Sequence, residues 1–153
     1  MADKATDLVE YETMLLGRHF TMTARAMGGE GHLDNSAYVL LTRIRVEGPL
    51  SLRQLSETFG LDVSTLNRKT GALLRRGLLE RISDAEGGIA RKFRLTEEGL
   101  RLLDVERTTM IRGLDRLLAD WDADDVAELA AYLKRFNTTI ERLAERPWPR
   151  PRP

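Results

Sequence analysis

The middle of the chain is cut into short pieces by glycine and proline, and this punctuation constrains the fold more than any other feature. Proline has no amide donor and clashes with the preceding turn, so Gly48-Pro49 ends any helix before it. Ser51 then offers an N-cap, and Leu52, Leu55 and Phe59 share one face of a short helix that stops at Gly60. Asp62 caps a second helix over residues 63–76, closed by Gly77. After it the texture changes. Residues 78–82 and 90–95 are short apolar and charged runs on either side of Ser83-Asp84-Ala85-Glu86-Gly87-Gly88, the pattern of a β-hairpin with a glycine tip. Two short helices around a tight turn, followed by a hairpin, make a helix-turn-helix with a wing, and the second helix of such a pair can enter a DNA major groove.

The flanks have a longer period. Leu8, Tyr11, Leu15, Met22 and Ala26 predict an amphipathic helix over residues 6–27, stopped by Gly28, Gly29 and Gly31. Asp34 caps a helix that runs through Tyr38, Leu41 and Ile44 to Gly48. Thr96, with Glu97 and Glu98 in the first turn where the helix dipole favours acids, starts a long helix through Leu103, Met110, Leu114, Leu117 and Trp121. Asp122 caps the last helix, in which Val126, Leu129, Leu133, Phe136, Ile140 and Leu143 alternate spacings of three and four, the seam of a helix that packs along a partner. These stripes are more than a small winged domain covers within one chain, so a homodimer is expected. Residues 146–153 hold four of the five prolines and cannot be helical; the tail is expected to be extended or disordered. The expected fold is mainly α with a small β-hairpin wing. It is one domain over residues 1–145, with dimerisation helices at 1–33 and 97–145 around a winged region at 34–96.

Composition narrows the function. A chain of 153 residues supports one core. It has no cysteine, which removes disulfides, thiolate metal sites and thiol redox sensing. Net charge is zero but unevenly placed: residues 51–94 carry nine Lys/Arg against five Asp/Glu, while residues 1–33 and 95–153 each have two more acids than bases. No apolar run is long enough for a membrane span and no leader pattern opens the chain, so the expected location is the cytoplasm and no membrane partner is expected. His19 and His32, with Glu30 nearby, lack metal-motif spacing and are read as surface or satisfied core residues. Tyr38 and Trp121 can line a pocket but at helical spacing read as core. No nucleophile-base arrangement, phosphate loop or paired carboxylate is legible, so neither catalysis nor a cofactor is expected.

The decisive question is which face of the second short helix is free. At 100° per residue, Val63, Leu66, Thr70, Leu73 and Leu74 share the inner side, while Ser64, Arg68, Gly71 and Arg75 point outward, flanked by Thr65 and Asn67. Taken alone, such a face is ordinary solvated surface. With the preceding helix, the hairpin and the local positive charge, it carries what a groove reader needs: Arg bonds guanine, Asn bonds adenine, and hydroxyls serve bases or phosphates.

Leu61-Asp-Val-Ser-Thr-Leu-Asn-Arg68, Leu73-Leu-Arg-Arg-Gly-Leu-Leu-Glu-Arg81 and Phe93-Arg-Leu-Thr-Glu-Glu-Gly99 together resemble the MarR family, the multiple-antibiotic-resistance type of regulator, most strongly over residues 50–99. The resemblance implies a triangular dimer of intertwined terminal helices, two winged regions on adjacent major grooves of a near-palindromic duplex, and response to a small-molecule effector. It assigns recognition-helix contacts to Ser64, Thr65, Asn67 and Arg68. The full candidate DNA-binding set is Ser51, Ser64, Thr65, Asn67, Arg68, Lys69, Arg91 and Lys92. This sequence departs from the family at Lys69, usually apolar, at Gly71, usually acidic, and at the wing tip, where Glu86-Gly87-Gly88-Ile89 replaces an Asp-Arg-Arg-like run. A wing contact therefore falls to Arg91 or Lys92, or these are ordinary strand-surface charges. The leading function is a sequence-specific regulator, most simply a repressor. A winged protein-interaction module and an enzyme with a pocket at the dimer junction are the alternatives.

Overall fold

The computed structural model describes residues 4–26, 32–83 and 91–151, with the backbone alone over residues 21–26. The expected glycine stop at Gly28, Gly29 and Gly31 and the wing tip over residues 84–90 lie outside the described residues. The elements run α1 (Ala5–Ala26), α2 (Asn35–Glu47), β1 (Leu50–Ser51), α3 (Leu52–Phe59), α4 (Val63–Arg75), β2 (Leu79–Ile82), β3 (Lys92–Leu95), α5 (Glu97–Leu117) and α6 (Ala123–Leu143).

Local chemistry accounts for most of these boundaries. Asp34 accepts a bond from the Ala37 amide at 2.8 Å and opens α2. Ser51 and Gln54 form a reciprocal capping box at the start of α3, the Ser51 hydroxyl taking the Gln54 amide at 3.1 Å and the Gln54 carboxamide taking the Ser51 amide at 2.8 Å. Gly60, at φ +61°, takes the left-handed conformation that turns the chain from α3 into α4. Gly77 ends α4 in a Schellman motif, with Leu78 N–H on the Leu73 carbonyl and Gly77 N–H on that of Leu74, each at 3.0 Å.

The sheet has the order β1-β3-β2, antiparallel throughout. The hairpin β2–β3 is the expected one, in the register Leu79↔Leu95 to Ile82↔Lys92. The third strand, β1, pairs Leu50 with Phe93 and Ser51 with Lys92. The core lies between α2, α3, α4, the sheet and the first turns of α5; Leu41, Leu55 and Leu66 are fully enclosed, with Leu40, Phe93 and Leu103 around them.

The arms are different. Among the described residues α6 has none buried: Val126 and Leu129 are half-buried, and Leu133, Phe136, Ile140 and Leu143 stand exposed. Leu8 and Tyr11 of α1 and Leu114 and Leu117 of α5 are likewise exposed. The sequence allowed an extended or a disordered tail. Over residues 146–151 it has no regular secondary structure and is in contact with α2 and α3, because the apolar ring of Trp148 finds a place against Phe59 and Arg43.

Candidate nucleic-acid interface

Helix α4 buries Leu66, Thr70 and Leu73 and turns Ser64, Asn67, Arg68 and Arg75 to solvent, as the 100° projection requires. Thr70 satisfies its enclosed hydroxyl by donating to the Leu66 carbonyl at 2.8 Å. Val63 departs from the projection: it is half exposed, and the buried stripe begins one turn later at Leu66. Gly71 lies between Arg68 and Arg75, and a Cβ there would meet nothing closer than the Arg75 guanidinium at 3.4 Å. The outer face is therefore shallow at its centre and cationic on both sides.

The hydroxyls on this face are already organised. Ser64 and Thr65 both donate to the Asp62 carboxylate, and Arg68 Nη2 donates to Thr65 Oγ1 at 3.3 Å. These hydroxyl bonds, Ser64 first and Thr65 second, hold the Asp62 carboxyl below its ordinary range. Asp62 stands at the N-cap position the sequence indicated but makes no side-chain capping bond; its carboxylate takes the Ser64 and Thr65 hydroxyls instead, a part in aligning Thr65 and, through it, Arg68 that sequence did not show.

Two of the sequence-derived candidates are placed by other elements. Lys69 is half-buried and donates to the Ser36 hydroxyl at 2.6 Å, which joins α4 to the first turn of α2. Ser36 has no signal of its own in the sequence, since any exposed serine in a first turn reads the same. Ser51 caps α3 and stands opposite Lys92 across β1 and β3, so the root of the wing and the N-terminus of α3 are one surface. Arg91 is exposed at the entrance to β3. Arg94 is committed across the hairpin to Glu80, its register partner, at 2.7 and 2.9 Å.

Away from this face, His32 Nδ1 lies 3.0 Å from the Glu106 carboxylate, which also takes the Leu33 amide at 3.4 Å. His32 is thus partly buried and hydrogen-bonded, one of the two readings the sequence left open. Among the described residues no cluster of three metal-ligating side chains occurs. Tyr38 packs on the core, while Trp121 is half exposed rather than core, because it lies at the far end of the arm between α5 and α6. Among the described residues no helix is long and apolar enough to cross a membrane.

The MarR family model matches residues 33–86, which span α2 through the hairpin's first strand. The HTH-type transcriptional regulator YxaD of Bacillus subtilis (strain 168) is 30% identical over 131 residues, covering 86% of this chain and 92% of YxaD. This chain belongs to the MarR family. Solved MarR structures extend the likeness beyond the matched segment. A MarR family protein from Bacillus stearothermophilus shares the fold with a TM-score of 0.76 over 91% of this chain and 99% of its own, at 20% identity. The PcaV transcriptional regulator from Streptomyces coelicolor, solved with its natural ligand, is 29% identical with a TM-score of 0.64 over 90% of this chain and 96% of its own. As a MarR-family member the chain is a winged helix-turn-helix transcriptional regulator, and family and fold point to DNA binding rather than catalysis.

Proposed function

We propose that the protein works as a homodimer that reads a near-palindromic operator with α4 and releases it when a small-molecule effector changes the spacing of its two reading heads. The observation that carries the reading is the outward face of α4: Ser64, Asn67 and Arg68 exposed together, with Thr65 aligned between them and the Ser51–Lys92 surface at the root of the wing. Arg68 and Asn67 suit base edges; Ser51, Ser64, Thr65, Lys69, Arg91 and Lys92 suit phosphate, which fixes position without reading sequence. Dimerisation is supported by the exposed apolar seam on α6, which a partner copy would take out of water. Repression is the simplest action for a dimer that occupies an operator. Effector response rests on the likeness to PcaV, a regulator that has a natural ligand.

Selection of bound duplexes from a random pool tests this directly. The expected product is a two-fold related site with half-sites centred about 10 bp apart or a multiple of that, and inserting half a turn between them abolishes tight binding. Affinity should also fall steeply with salt as released counterions return. A pool that yields no enriched sequence, with binding insensitive to salt, would overturn the proposal in favour of a protein-interaction module.

A further inference from the structure

The tail makes contacts that an incidental end of chain does not. Helix α6 closes in a Schellman motif, Arg146 N–H reaching the Glu141 carbonyl at 2.9 Å, but the left-handed position is filled by Glu145 at φ +54°. Among the described residues Glu145 is the only non-glycine with positive φ, a conformation that persists where its surroundings hold it. The turn sends the chain back along its own molecule. Trp148 packs edge-on against Phe59, the last residue of α3, with ring centroids 5.4 Å apart. The Arg43 guanidinium of α2 also lies over the ring, 4.6 Å from its centroid. Arg43 also donates to the Pro147 carbonyl at 3.3 Å, so a cation that is 7% exposed has part of its cover supplied by the tail.

Two further contacts complete the attachment. Glu141 of α6 takes the Trp148 amide at 3.1 Å and the two terminal nitrogens of the Arg150 guanidinium, at 2.6 and 2.8 Å, which holds the tail to the end of the arm. The Arg146 guanidinium lies across Gly60, close enough that any side chain at that glycine would displace it. Gly60 is the turn of the helix-turn-helix. The tail thus touches the end of α6, Arg43 of α2, the end of α3 and the turn that sets α4 at its angle.

We propose that residues 146–151 are a strap that ties the α6 arm to the helix-turn-helix turn and thereby fixes the angle at which each reading head is held. The proposal rests on the DNA-reading role above for its consequence, not for the strap itself. With α6 in the dimer seam, a strap from its end to the turn sets the distance between the two copies of α4. It governs tolerance of half-site spacing, while the choice of bases within a half-site stays with α4.

Full-length Trp148→Ala, a chain ending at Glu145, and the conservative Trp148→Phe test this with two readouts. In Trp148→Ala and the shortened chain, amide hydrogen exchange at Gly60 and Leu61 should rise about tenfold or more, as a local contact is lost, while β2 and β3 exchange as before. Trp148→Phe, which keeps an aromatic ring on Phe59, should stay near wild type. On operators with one or two base pairs inserted or removed between half-sites, the full chain should discriminate strongly. The two strap variants should bind all spacings within about threefold of each other, with unchanged preference inside each half-site. Wild-type exchange at the turn, or wild-type discrimination of spacing, overturns the strap. A full chain that binds no duplex at all sinks the DNA reading instead, and exchange at Gly60 and Leu61 then decides the strap alone.

Discussion

Arg68 is the residue on which the recognition face turns. Its side chain is exposed on the outer line of α4 and oriented by Thr65, which Asp62 orients in turn. A guanidinium held this way offers two parallel donors, the geometry that guanine O6 and N7 accept. Arg68→Ala is expected to weaken binding to the preferred operator by about 1–3 kcal/mol and relax the preference at one base pair per half-site. Should the contact be to phosphate, specific and random duplex would lose affinity in parallel and the salt slope would fall by roughly one per contact. Titrations of both duplexes at several salt concentrations separate these roles. Wild-type affinity in a folded Arg68→Ala dimer would remove α4 from the interface.

At the level of elements, α5 meets the root of the wing in a close backbone approach. Gly99 lies in the first turn of α5, and a Cβ there would stand 2.2 Å from the Leu78 carbonyl oxygen, an atom already fixed by the Thr96 amide. Sequence shows Thr96-Glu97-Glu98-Gly99 as a helix start but cannot show that the glycine is there for room. Gly99→Ala should therefore destabilise the fold by about 1–3 kcal/mol, since only backbone movement relieves the clash. Gly71→Ala, in a helix interior where the new Cβ would meet only the flexible Arg75 guanidinium at ordinary contact distance, should stabilise DNA-free protein by about 1 kcal/mol. Urea midpoints of the two variants test the contrast, and equal shifts in one direction would refute the close-packing account.

For the whole molecule, the question is what covers the arms. Leu133 and Phe136 are 44% and 48% exposed in the single chain and continue the seam that Val126 and Leu129 begin. Each such side chain, fully buried against a partner, contributes about 1.5–3 kcal/mol, and a two-fold interface counts every one twice. Leu133→Asp combined with Phe136→Asp should shift the protein from dimer to monomer at micromolar concentration while the core around Leu41, Leu55 and Leu66, which these positions do not touch, stays folded. Light scattering with circular dichroism checks it. A double variant that remains a full-strength dimer would place the interface elsewhere.

Sequence by itself located the helices and their apolar stripes, and the ends of α2, α3 and α4, whereas α5 stops at Leu117, short of the expected Trp121. Caps such as Ser51 with Gln54, and turn glycines such as Gly60 and Gly77, act within a few residues along the chain. Helical periodicity then separated the inner Leu66, Thr70 and Leu73 from the outer Ser64 and Arg68, and motif order pointed to the family. What the tertiary structure decided depends on segments far apart in sequence. Strand β1 is two residues long, too short for any period, and exists because β3 offers it hydrogen-bond partners. Lys69, a candidate DNA contact, donates to Ser36, 33 residues away in sequence. Arg43, a charge on the inner side of α2, meets a carbonyl 104 residues away beneath Trp148, where proline content alone predicted only a non-helical tail, extended or disordered. Local rules end within a turn or two of the residue that carries them, and the packing of a buried cation against a distant ring is set only once the chain has brought them together.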